Sequence, residues 1–195
     1  MRFEHVHVVG AGQMGGGIAQ ALAASGRRVS LHDSLPGATD RALGGMRKSL
    51  EKLAERGGAD PDEVIARIEP VDDLVPAELL IEAAIEDVAV KEEIFRRADE
   101  VFPSEAVLAS NTSSISITRL AAATGRPEQV IGMHFFNPVP VLKLVEVIRG
   151  LQTSDETAAS VVALAEDLGK VAAEARDFPG FVSNRILMPF VNEAA

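Results

Sequence analysis

His134 and Glu146 stand on either side of the Pro-containing turn Asn137-Pro138-Val139-Pro140, a pairing that could do proton chemistry. Residues 130–135 and 142–148 are strand-like, and the segment between them is too short for a helix, so they are expected to pair antiparallel. The hairpin then centres near Pro140. His134 and Glu146 are equidistant from it and an even number of residues apart, so they can face each other on one side of the sheet. A carboxylate opposite an imidazole fixes its tautomer and favours its protonated form, which suits a base that takes a proton from a hydroxyl group. The same spacing is met by a structural histidine with Glu146 exposed, and spacing does not choose between the two. The other histidines are less apt, because His5 and His7 belong to the opening strand and His32 adjoins the second feature, a glycine cluster and its acidic partner.

That feature is the run Val8-Val9-Gly10-Ala11-Gly12-Gln13-Met14-Gly15, a G-x-G-x-x-G set between a strand and a helix. Gly10 allows a tight turn, Gly12 lets backbone approach a pyrophosphate, and Gly15 lets the helix pack closely on the strand. Gln13 and Met14 open the helix, whose N-terminus would face the phosphates. Asp33 lies at the end of the next strand, roughly 20 residues beyond the glycines, where a carboxylate can accept both hydroxyls of a ribose. A 2′-phosphate would be repelled there and no Arg follows at once, so NAD is favoured over NADP. The alternative for Asp33 is a solvated turn residue before Ser34.

The elements that must hold these groups alternate. Strands are expected at residues 6–9, 29–31, 79–85 and 106–109, with helices at 14–25, 88–101 and 117–123. Between the second and third strands lies a helical excursion: one helix from Pro36-Gly37 to about Arg56, and another capped by Asp60 with Pro61 at its first position. Thr153 and Glu156 form a capping box for a helix ending near Gly169, and residues 171–175 make a possible edge strand. The fold class is therefore α/β, a Rossmann-type doubly wound, mostly parallel sheet with an antiparallel pair near its C-terminal end. Ligands in such sheets sit beyond the carboxyl ends of the strands, where Glu86, residues 110–114 and His134 all fall.

Composition narrows the classes of function. The 195 residues hold 29 acidic against 19 basic side chains, a formal charge of -10, which disfavours nucleic acid and an anionic membrane surface as partners. With 47% hydrophobic and 25% charged residues the chain has the balance of a globular protein. No Cys is present, which excludes thiolate metal sites and a thiol nucleophile, and accords with a cytoplasmic setting. No metal site is expected, and no stretch approaches the ~20 apolar residues that cross a bilayer. In residues 181–195, Ile186, Leu187, Met188, Phe190 and Val191 spread apolar surface around a helix that needs a partner. Residues 1–180 are accordingly expected to form a dinucleotide-binding domain, and 181–195 to begin a helical domain otherwise absent from this chain.

Five ordered motifs carry a resemblance: Gly-Ala-Gly-Gln-Met-Gly-Gly-Gly-Ile-Ala (10–19), Ser-Asn-Thr-Ser-Ser (110–114), His-Phe-Phe-Asn-Pro-Val-Pro (134–140), Leu-Val-Glu-Val-Ile (144–148) and Pro-Gly-Phe-Val-Ser-Asn-Arg (179–185). Over nearly its whole length the chain resembles the 3-hydroxyacyl-CoA dehydrogenase family. The resemblance implies that His134 is the acid/base and Glu146 its orienting partner, while Ser113 and Asn184 hold the substrate's reacting oxygens. It also implies a cofactor-facing pair, Glu86 and Lys91, with Asn111 and Ser113 beside the nicotinamide ribose. Each has a plainer reading on pattern: Ser113 a turn hydroxyl, Asn184 a polar helix position, Glu86 a complement to a helix N-terminus, Lys91 a solvated charge.

For the CoA portion the resemblance points to Ser49 and Arg56, the latter where relatives often carry Lys. Lys48, Lys52 and Arg56 recur every four residues as a possible basic stripe, but Glu51 and Glu55 interleave with them and suggest a self-paired exposed helix. The implied activity is reversible oxidation of an (S)-3-hydroxyacyl-CoA, in a homodimer formed through the helical domain. Two rivals stand beside it: a dehydrogenase of free hydroxy acids or sugar acids, which would share the glycine loop and the His134–Glu146 pair, and a non-catalytic NAD-binding module.

Overall fold

The computed structural model describes residues 3–194. In chain order the elements are β1 (His5–Val9), α1 (Gln13–Ala24), β2 (Arg28–His32), α2 (Ala38–Ala54), α3 (Pro61–Ile65), β3 (Ile68–Pro70), β4 (Leu79–Glu82), α4 (Val88–Val101), β5 (Val107–Ser110), α5 (Ile117–Ala121), β6 (Val130–Phe135), β7 (Leu144–Arg149), α6 (Asp155–Asp167), β8 (Val171–Arg176) and α7 (Ser183–Ala194). The strands form one sheet in the order β3-β2-β1-β4-β5-β6-β7-β8. Every neighbouring pair runs parallel except β6 with β7. The strand order reverses between β1 and β4, and that switch point opens a crevice at their carboxyl ends.

Helices cover both faces, so β4, β5 and β6 are buried along their whole lengths. Alternate residues serve two cores. Val6, Val8, Leu79 and Ile81 pack with Ile18 and Leu22 of α1, and Val145 and Val147 join the same core with Val161 and Leu164 of α6. Val9, Leu80, Leu108 and Ile148 pack with Phe95 of α4 and with Ile117 and Leu120 of α5. Asp60 caps α3 by accepting from the amides of Asp62 (2.8 Å) and Glu63 (3.1 Å), with Pro61 at the first position.

One strand was not expected, and several boundaries differ from expectation. β3 has only one buried residue, Ile68, and lies at the sheet edge, so it carries no alternating signal. β4 stops at Glu82 because that side chain folds back to accept from the amide of Ala84, 2.7 Å away. The cap of α6 is Ser154, whose Oγ accepts from the amide of Thr157 at 3.1 Å, because Thr153 donates its hydroxyl to the carbonyl of Val130 at 2.6 Å instead.

The chain leaves the sheet through a fixed point. Asp177, just past β8, accepts from the hydroxyl of Ser116 and from the amides of Ile117 and Thr118, which locks it to the N-terminus of α5. Gly180 (φ 77) and Phe181 (φ 48) then turn the backbone through the left-handed region into α7. None of the helix's described side chains is buried.

Candidate functional site

The glycine loop follows from what a side chain would strike. Gly10 has φ +97, and a Cβ on it would lie 2.5 Å from the carbonyl oxygen of Ala83, so the loop after β1 presses directly on the chain leaving β4. A Cβ on Gly15 would sit 1.8 Å from the carbonyl oxygen of Gly10. Gly12 is different, because nothing lies within 4 Å of its hypothetical Cβ and it gives α1 no side-chain cap. The first amides of α1 are thus left to an external acceptor, with clearance for one to approach. Gln13 and Met14 form that first turn, and Gln13 lines the adjoining cleft.

Asp33 is a half-buried turn residue whose carboxylate is held on both oxygens. One carboxylate oxygen accepts from the amide of Ala11 at 2.6 Å and the other from the amide of Leu35 at 2.8 Å, which ties the end of β2 to the glycine loop. Asp33 also borders a cleft of about 630 Å³ whose walls include Val9, Leu74, Ile85 and Ile94. An apolar cleft beside a carboxylate, next to uncapped amides with a bare glycine between them, fits the adenosine and pyrophosphate of a dinucleotide.

On the other side of the loop the polar groups after β4 and β5 form one network. Glu82 is fully buried and accepts from Lys91 Nζ (2.6 Å) and from the hydroxyl of Ser110 (2.6 Å). Lys91 is only 1% exposed, so the reading of it as a solvated charge is corrected; its ammonium also lies 3.4 Å from Glu86. Glu86 in turn accepts from the hydroxyls of Thr112, Ser113 and Ser114 and from the amide of Ser113. Burial pushes its carboxyl pKa up, but those hydroxyls, the Lys91 charge and the Ser113 amide outweigh it and hold the pKa below the usual range. Asp87 caps α4, and Glu86 stands one residue before it. Glu82 escaped the sequence reading; the signal was a carboxylate ending the apolar run Leu79-Leu80-Ile81.

β6 and β7 pair with His134 opposite Glu146, and His134 Nδ1 lies 2.8 Å from Glu146 Oε2. A carboxylate only accepts, so in the neutral imidazole Nδ1 carries the proton and Nε2 keeps its lone pair. Both residues are buried, so Glu146 is not the exposed partner of a structural histidine. Glu146 does more than the spacing suggested: Oε1 accepts from the amides of Val182 (3.1 Å) and Ser183 (2.7 Å), and Oε2 from the Ser183 hydroxyl (2.9 Å). Burial would raise its pKa, yet the bonds from His134 and Ser183 prevail and lower it. The rings of Phe136 and Phe181 stand 4.5 and 6.2 Å from that of His134.

One asparagine ties β6 to the loop after β5, and a second ties α7 to that same loop. Asn111 Oδ1 accepts from the amide of Phe135 at 2.9 Å, and Asn184 Nδ2 donates to the carbonyl of Ser113 at 2.9 Å. The structure therefore brings together His134 with Glu146, and Asn184 with Ser113, Glu86 and Lys91, the two sets meeting at the adjacent residues Ser183 and Asn184.

The groups on α2 are less unified. Ser49 lines a cleft of about 600 Å³ between α1, α2 and the turn at 137–140, and its hydroxyl accepts from Gln20. Arg56, just past α2, lines a separate depression with Leu53, Gly57 and Lys170. Lys48, Lys52 and Arg56 are exposed, and among the described residues they form no ion pair with Glu51 or Glu55. The self-paired helix is thus corrected: the ion pair of α2 is Arg47 with Asp62 of α3, at 2.6 Å. Gly17 admits the 137–140 turn, since its Cβ would lie 3.0 Å from that of Val139.

Residues 5–178 match the family model described as 3-hydroxyacyl-CoA dehydrogenase, NAD binding domain. The chain is 51% identical to a probable 3-hydroxybutyryl-CoA dehydrogenase of Bacillus subtilis, an alignment covering 100% of this chain and 70% of that protein. It is 53% identical to a probable 3-hydroxybutyryl-CoA dehydrogenase of Deinococcus radiodurans, over 96% of this chain and 69% of the relative. Among solved structures, the (S)-3-hydroxybutyryl-CoA dehydrogenase PaaH1 of Ralstonia eutropha superposes with a TM-score of 0.94 at 44% identity, covering 98% of this chain and 70% of that one. On its sheet order, its glycine loop, its His134–Glu146 pair and these matches, the chain belongs to the 3-hydroxyacyl-CoA dehydrogenase family and contains its NAD-binding domain.

Proposed function

We propose that this chain carries the NAD site and the acid/base of a dehydrogenase that reversibly oxidises an (S)-3-hydroxyacyl-CoA, the 3-hydroxybutyryl thioester among them, to the 3-ketoacyl-CoA. The observation that carries this reading is the 2.8 Å contact of His134 Nδ1 with the buried Glu146 carboxylate, beside the dinucleotide crevice. Bound NAD supplies the acceptor for the hydrogen leaving carbon. His134 Nε2 takes the hydroxyl proton, and Glu146 stabilises the imidazolium that results. Ser113 and Asn184, joined by their own hydrogen bond, orient the substrate oxygens. Gly10, Gly12, Gln13, Met14 and Gly15 seat the pyrophosphate, Asp33 the adenosine ribose, and Glu86, Lys91, Asn111 and Ser113 the nicotinamide end.

Ser49 is the better supported of the two CoA contacts, because it lines the cleft next to the glycine loop while Arg56 lies outside it. Residues 1–180 form the NAD-binding domain and 181–195 open a helical domain that closes the acyl pocket and pairs two subunits. The exposed Ile186 and Phe190 of α7 support that division, as does the greater length of the relatives. The setting is cytoplasmic; among the described residues no helix is long and apolar enough to cross a membrane.

His134→Gln is expected to lower turnover of acetoacetyl-CoA with NADH by about 10²–10⁴-fold, the range for a general acid/base, with NADH affinity nearly unchanged. A variant as active as the parent refutes the assignment, and free acetoacetate reduced as fast as its CoA thioester points to the hydroxy-acid rival.

A further inference from the structure

The reading of His134 as the acid/base leaves open what sets its proton affinity, and the answer lies on α7. Glu146 is 1% exposed, and the titratable side chain bonded to it is His134. Its remaining partners all come from residues 182 and 183. The two amides meet Oε1, whereas the Ser183 hydroxyl meets Oε2, the oxygen that already holds His134 Nδ1. The two kinds of contact therefore do different things. Backbone amides satisfy the first turn of α7 and survive any side-chain change at 183. The hydroxyl draws electron density from the one oxygen that His134 depends on.

We infer that Ser183 is a positioning residue for the proposed reaction: its hydroxyl, shared on Glu146 Oε2 with His134 Nδ1, sets the basicity of the imidazole and makes it depend on α7 being seated. This rests on His134 as the acid/base. With Ser183 Oγ in place, Oε2 is a weaker acceptor and the imidazolium is less stabilised, so His134 gives up its proton more readily. Without the hydroxyl, Oε2 concentrates its charge on His134 and the proton is held more tightly. A residue that only capped a helix would leave that proton affinity alone, because the amides of 182 and 183 remain.

The test titrates His134 in the full chain by ¹H–¹³C NMR, its ring signal assigned by its loss in His134→Gln. Neither substrate nor turnover is needed. Ser183→Ala and Ser183→Val are expected to raise the His134 midpoint by about half a pH unit, a fraction of what a hydrogen bond to a charged group is worth, because the hydroxyl acts on the imidazole only through the shared carboxylate. Ser183→Thr, which matches Val in size and keeps the hydroxyl, is expected to titrate with the parent. An unchanged or lowered midpoint in Ala and Val overturns the role of Ser183, as does a Thr variant that moves with Val. Those outcomes leave the dehydrogenase reading standing, since it falls on an active His134→Gln and not on a midpoint.

Discussion

Lys91 and His7 are the two buried polar groups whose surroundings decide most, and they were not equally legible. Lys91 precedes two glutamates on a helix, so pattern alone makes it a surface charge. Its burial depends on Glu82 from β4 with Ser110 from β5 bracing the carboxylate, a meeting that only the folded sheet creates. The His134–Glu146 pair could be read, because a period of two and a short turn place it before any tertiary fact is known. His7 lies wholly buried on β1 with both ring nitrogens lacking a partner, against the rings of His32 and Phe102. Burial, with the neighbouring His32 and His5, brings its pKa down to about 4. The unfolded chain, titrating near the ordinary 6.5, therefore binds more protons across that interval. Stability from this group is full above pH 6.5 and drains away as pH falls towards 4, by up to about 3 kcal/mol. His7→Leu is expected to flatten that acid slope in urea titrations at pH 4.5 and 7 without loss at pH 7, since it removes a polar group that nothing satisfies; a slope as steep as the parent's excludes His7 as its source.

Among the elements, the strand–glycine–helix unit was the most readable, because each glycine answers to a steric demand that sequence alone expresses. The demands differ in kind, which separates binding from folding. Gly15→Ala forces a methyl group against the carbonyl of Gly10 and is expected to cost at least about 3 kcal/mol in chemical denaturation. Gly12→Ala meets empty space in the protein, so it should keep its melting temperature yet lose about 10-fold or more in NADH affinity by fluorescence titration. Equal loss of stability in both would show that Gly12 serves packing and not a ligand. What sequence missed at this scale was short or local. β3 has three residues and one buried side chain, and the cap of α6 moved to Ser154 because a strand carbonyl claimed Thr153. A hydroxyl placed to reach a carbonyl that burial cuts off from water donates to it, and the cap falls to the next hydroxyl along the chain.

For the whole molecule, the doubly wound sheet, its switch point and its one antiparallel pair were all foreseeable, since chain connectivity and strand twist leave few alternatives. The linkage of the start of α7 to β7 was not, because Val182 and Ser183 reach Glu146 from 36 and 37 residues away. The anchor at Asp177 gives this arrangement a mechanical sense. It clamps the root of the C-terminal segment to α5, so any swing of α7 must pivot in the few residues that follow, at Gly180 and Phe181. A turn at that pivot would part residues 182 and 183 from the Glu146 carboxylate before it disturbed the sheet behind it. Hydrogen exchange should display the division: the amides of Ile117 and Thr118, on the clamp, should exchange at least about 10-fold more slowly than those of Val182 and Ser183, and the reverse order would put the fulcrum inside the sheet.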